Sequence, residues 1–216
     1  AGLLAARLAK AGFTASLDAF EHPQGYLAAV SPSGRADRTS PVKAGEVWRI
    51  LEWRLNIKKY PLCYGTHRAI DGMLDLLEAN PAVKPDDIAK VKVLTSRRSA
   101  TILRNARPKT GLEAKFSMQF AMASSVVARR VGLGELTDDF VLRPEVQALF
   151  PKVEIETDDR ENAVGYSPYD QVTVTLKDGR TIVGKEVSEP RGGANTPLKA
   201  SELQTKFLDC VGAGTA

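Results

Sequence analysis

Cysteine is scarce in this 216-residue chain: only Cys63 and Cys210 occur, too few for a disulfide framework. That scarcity fits a reducing compartment, with the cytoplasm as the expectation. Histidine is as rare, with His22 and His67 alone. With no C-x-x-C pair, this set has no metal-ligand spacing, so no metal site is expected. No apolar run approaches the roughly 18 to 20 residues of a membrane span, and no signal-peptide pattern opens the chain. No P-loop or dinucleotide fingerprint occurs. Gly132-x-Gly134 lacks a third glycine and follows a helical pattern, so it reads as a turn. A serine nucleophile elbow is missing too. The 30 basic and 26 acidic residues leave a net charge of +4, with no long basic tract, which argues against nucleic acid as a partner. A slight positive excess suits a pocket for small anionic acids.

The remainder is ordinary for a globular chain, 43% hydrophobic and 26% charged, and long enough to bury a core. Gly2 to Gly12 reads as a buried apolar helix, and neither Ala1 nor Ala216 looks like a natural end. A short helical piece is expected at Ser16 to Phe20, then a Gly/Pro/Ser-rich loop from His22 to Gly45. Between Val47 and Ile57 the odd positions Leu51, Trp53, Leu55 and Ile57 alternate as apolar, which predicts a strand with Trp53 and Leu55 in its buried row and Lys58 on the opposite side. Pro61 ends it.

Period 3.6 returns from Thr66 to Asn80, closed by Asn80-Pro81. Ile88 to Thr95 alternates as a strand, and Arg97 to Gly111 reads as a basic surface loop. A long helix is expected from Leu112 to Arg130 with Phe116 and Phe120 in the core. Shorter helices follow at Asp138 to Phe140 and Pro144 to Phe150. Val153 to Thr157 reads as a strand. Lys177-Asp178-Gly179 between Gln171 to Leu176 and Arg180 to Val187 signals a hairpin. A last helix spans Ser201 to Cys210, with Ser201 as N-cap. The composite is α+β: a mixed or antiparallel sheet with helices packed on it.

The densest reactive cluster is Lys58 to His67, K-K-Y-P-L-C-Y-G-T-H, where a strand is expected to end and a helix to begin. Such a junction offers backbone donors and the positive end of a helix dipole to carboxylates. Cys63 alone is more often a packing residue, and His67 alone more often a structural hydrogen-bonder. Together with Lys58 and Thr66 they become a candidate site.

These residues resemble the MmgE/PrpD family. Lys58 to Cys63, Thr66-His67 and Ala69-Ile70-Asp71 are similar to its K-x-Y/F-P-x-C/H…T-H…I-D segment. Glu113 to Ala121 resembles E-A-K-F-S-x-Q-Y/F, and Val172 to Arg180 the late hairpin. Pro190-Arg191-Gly192, Asn195 to Leu198 and Lys206-Phe207 resemble the closing run. The resemblance implies an α+β lid domain beside an all-helical domain, with the active site between them. It implies cofactor-independent chemistry on small di- and tricarboxylic acids: dehydration, decarboxylation or epimerisation next to a carboxylate.

On that basis the catalytic candidates are Lys58 and His67, and the substrate-binding candidates are Lys58, Cys63, Thr66 and Phe120. Cys63 stands where cis-aconitate decarboxylases carry histidine, and Phe120 where a tyrosine is frequent. Lys115 matches in type. The expected organisation is the end of a helical domain with its connecting loop at 1–45, the lid at 46–200, and the start of a C-terminal helical segment at 201–216. Expected partners are a small polycarboxylate, an N-terminal helical domain or a chain supplying it, and a second copy in a homodimer. A lid alone is expected to be inactive. The rival expectations are a non-catalytic partner or remnant subunit with the lid fold, and an RNA-binding module using the Arg97 to Lys109 loop.

Overall fold

The computed structural model describes residues 1–31, 33–34, 46, 48–160, 162 and 165–214. The chain divides into two compact units, 1–48 and 49–216. In the first, α1 (Gly2–Lys10) ends before Gly12, whose φ of +88 suits a glycine stop. None of its residues is buried, unlike the buried helix expected. Ser16 to Phe20 forms turns instead of a helical piece, and α2 (Tyr26–Val30) lies inside the expected loop. Residues 35–45 of that loop, and Val47, lie outside the described residues.

The second unit opens on a difference. Where period two predicted a strand, residues 49–53 form α3 (Arg49–Trp53), and 54–63 run as an irregular strap. Arg54 takes a left-handed φ of 55, which stops the helix. Leu51 and Leu55 are 73% and 70% exposed. Their alternation is equally an i, i+4 pair, and the pattern could not tell the two apart.

After one 3₁₀ turn comes α4 (His67–Ala79), whose stripe of Ile70, Met73 and Leu77 is buried. β1 (Ile88–Ser96) follows as expected. The expected basic loop then starts as a helix, α5 (Arg97–Ile102), because the Ser96 side chain caps it by accepting from Ser99 N. The expected long helix is two. α6 (Gly111–Ala114) is capped by Thr110, and α7 (Met118–Ala128) by Ser117, whose hydroxyl accepts from Phe120 N at 3.0 Å. The break turns Phe116 outward, 42% exposed, while Phe120 stays fully buried. Ser117→Ala is expected to cost about 1 kcal/mol, readable as a shifted urea midpoint; an unchanged midpoint would show that the cap contributes nothing.

α8 (Asp138–Val141) and α9 (Pro144–Gln147) lead to β2 (Val153–Asp158). β3 (Gln171–Leu176) and β4 (Thr181–Val183) form the hairpin, with Gly179 at φ +88. α10 (Ala200–Gly214) starts one residue before Ser201, so Ser201 is inside the helix and not its cap.

The four-stranded sheet has the order β2-β1-β3-β4. β1 pairs with β2 in parallel and with β3 antiparallel, so the sheet is mixed and the fold α+β. One face, with Val91, Val93, Val172 and Val174, is covered by α4 and α7. The other is wetter and carries Lys90–Glu154 and Lys92–Glu156 pairs at 2.6 and 2.9 Å. Exposed pairs of this kind contribute little to stability.

Candidate active site

The strap 54–63 delivers Lys58 beside the start of α4. Lys58 is exposed, and its Nζ donates to Leu62 O at 3.3 Å. His67, fully buried, approaches the same carbonyl with Nε2 at 3.4 Å. The ammonium and the imidazole therefore share one acceptor. The rings of Tyr60 and Tyr64 flank His67 at 5.2 and 5.0 Å. Its Nδ1 is buried without a partner among the described residues. Burial pulls the imidazole pKa down to about 4, helped by the Lys58 and Lys206 charges, although the Leu62 and Tyr60 carbonyls oppose this. His67 is neutral at pH 7.

A cavity of about 620 Å³ lies between the strap, the end of α7 and α10. Its charged lining is mainly cationic: Lys58, Lys59, Arg129, Arg130 and Lys206 against Glu202 and Asp209. Lys59 pairs with Glu202 and Arg130 with Asp209. Among the described residues no carboxylate pairs with Lys58 or Lys206, and Lys206 Nζ donates to the Lys58 carbonyl. Arg129 is spent on the carbonyls of Leu77 and Val83.

Of the expected site residues, the cavity receives Lys58 alone. Cys63 is half-buried, its backbone N donating to Lys115 O. Thr66 is buried with its hydroxyl on Cys63 O at 2.8 Å. Phe120 is packed edge-on to Phe140 in the core. Structure thus joins Lys58 and His67 through Leu62, but keeps His67, Thr66 and Phe120 away from any open surface.

Two buried polar networks escaped sequence reasoning. Asp71, 3% exposed, accepts from Tyr60 Oη at 2.5 Å and from the backbone N of Arg191 at 2.7 Å. Asp170 accepts from Arg68 and Thr95 at 2.7 and 2.9 Å. Burial raises both carboxyls, while the neighbouring arginines pull them back. Asp71 adjoins the buried stripe of α4 and stands in the I-D of the family segment, but nothing in the sequence linked it to Arg191, 120 residues away. Among the described residues no three His, Cys, Asp or Glu side chains gather into a metal site, and no helix is long and apolar enough to cross a membrane.

The MmgE/PrpD C-terminal domain matches residues 60–215, which hold the mixed sheet and its covering helices, and the chain belongs to the MmgE/PrpD family. A relative is the cis-aconitate decarboxylase of Homo sapiens, 24% identical over 210 residues. The match covers 95% of this chain and 43% of that enzyme, so the chain spans less than half of its relative's length.

Proposed function

We propose that this chain is the C-terminal, substrate-covering part of a cofactor-independent enzyme acting on small di- or tricarboxylic acids. The reaction is dehydration, decarboxylation or epimerisation beside a carboxylate, in a homodimer. The observation that carries the reading is Lys58, which resembles the family's lid lysine, lining a cavity whose charged groups are mostly cationic. An ammonium with no carboxylate partner among the described residues is suited to hold an acid group and to stabilise the enolate-like charge that forms when a proton leaves the adjacent carbon.

In this reading Lys58 touches substrate, and Cys63 lies at the edge of the site. His67 is a neutral, sealed group that acts through the Leu62 carbonyl it shares with Lys58. Thr66 and Phe120 support from beneath by packing. The remaining acid–base groups come from the all-helical domain that the family resemblance implies, so the chain alone is inactive.

The test is a panel of 2-methylcitrate, cis-aconitate and iminodisuccinate, followed by NMR. It is run on the chain alone and on the chain joined to a helical domain of the family. Turnover only in the joined form is expected. No turnover in either form would favour a non-catalytic subunit with the lid fold.

A further inference from the structure

The strap carrying Lys58 has no regular secondary structure, so something other than a ladder or helix must fix it. Its ties are specific and lie on both sides of Lys58. Ile57 N donates to Gly192 O at 2.8 Å. Lys59 Nζ meets Glu202 at 2.5 Å. Tyr60 Oη donates to Asp71 at 2.5 Å.

The first and third ties converge on one turn. Asp71 Oδ2 accepts from Arg191 N at 2.7 Å, and its Oδ1 accepts from Arg191 Nη1 at 3.3 Å. Arg191 Nη2 reaches Asp75, one helical turn further along α4. The next residue, Gly192, has φ +89, and a β-carbon there would stand 2.0 Å from Ile57 O. The chain at 190–192 is therefore pressed against the strap with no space between them.

We propose that Asp71 and Arg191 are positioning residues: one buried carboxylate docks both Tyr60 and the 190–192 turn on α4, and so sets where the Lys58 ammonium stands. The assignment rests on the reading of Lys58 as the substrate-facing cation. A buried carboxylate with three donors has one low-energy arrangement, which makes it a better fixture than exposed ion pairs. A merely structural Asp71 would hold up the whole core; a positioning Asp71 holds up the strap.

The test uses the complete protein and two readouts at defined places: hydrogen exchange of the Ile57 amide and acylation of the Lys58 amine at limiting reagent. Asp71→Asn is expected to speed Ile57 exchange about tenfold and to change Lys58 acylation about threefold relative to the exposed Lys84. Exchange at Val91 and Val172, in the sheet, should stay the same. Arg191→Gln keeps the backbone donor and removes the guanidinium, so it should give a smaller change at the same two places. It carries the test if Asp71→Asn does not fold. Unchanged Ile57 and Lys58 signals would overturn the proposal, as would equal acceleration at Val91 and Val172, or a faster Ile57 with Lys58 unaltered. Failure of the functional reading shows elsewhere, as full polycarboxylate turnover by Lys58→Ala, and leaves these readouts untouched.

Discussion

Lys58→Ala in the complete protein is expected to lower polycarboxylate turnover by about 100- to 1000-fold, the usual cost of removing one preorganised donor to developing charge. Stability should move by less than about 0.5 kcal/mol. The side chain is exposed, and its protein bond is a single 3.3 Å contact to Leu62 O. Loss of rate without loss of fold is what separates a substrate contact from a packing residue. Lys58→Arg keeps the charge but replaces a point donor by a planar fork, so partial recovery is expected. Steady-state kinetics with thermal melts of the three proteins decide the matter, and a wild-type rate in the alanine variant refutes the assignment.

A second large effect comes from His67. Its folded pKa is about 4 against an ordinary 6.5, so the fold prefers the neutral ring. As pH falls below 6.5 the unfolded chain takes up a proton that the native chain refuses. The contribution of His67 is complete above pH 6.5 and declines as the pH drops towards 4. The total is about 3 kcal/mol, from the size of the shift. Asp71 and Asp170, raised by burial, act in the opposite direction, so the comparison must be a difference. His67→Gln keeps a side chain able to donate to Leu62 O and has no titration. Urea unfolding at pH 7 and pH 4.5 should show the wild type losing about 2 to 3 kcal/mol more than the variant. Parallel losses would mean that the ring is not held neutral.

Much of the fold was legible because it depends on local periodicity. Ile70, Met73 and Leu77 marked α4, the alternation of 88–95 and 171–176 marked β1 and β3, and Lys177-Asp178-Gly179 marked the hairpin between β3 and β4. Failures occurred where a single polar side chain outweighed the pattern. Ser96, Thr110 and Ser117 each start a helix by capping it, which made a helix of a supposed loop and split one helix into two. The 47–57 segment failed differently. Alternation indicates a strand only if a neighbour supplies a ladder, and here the backbone bond to a neighbour among the described residues runs from Ile57 to Gly192.

At the site, the family motif led to Lys58 and His67 and to their proximity. It could not show that His67 is sealed, because burial depends on Tyr60 and Tyr64 closing over the ring. The Asp71–Arg191 pairing was equally hidden, since contacts across 120 residues leave no periodic trace.

The strand order has a consequence for how copies of this protein behave when crowded. The outermost strands are β2 and β4. β2 presents Glu154 and Glu156, and β4 is three residues long. Charged side chains along β2 disfavour an added strand there, and β4 offers too short a template for a growing ribbon. Both borders thus discourage fibrous aggregation.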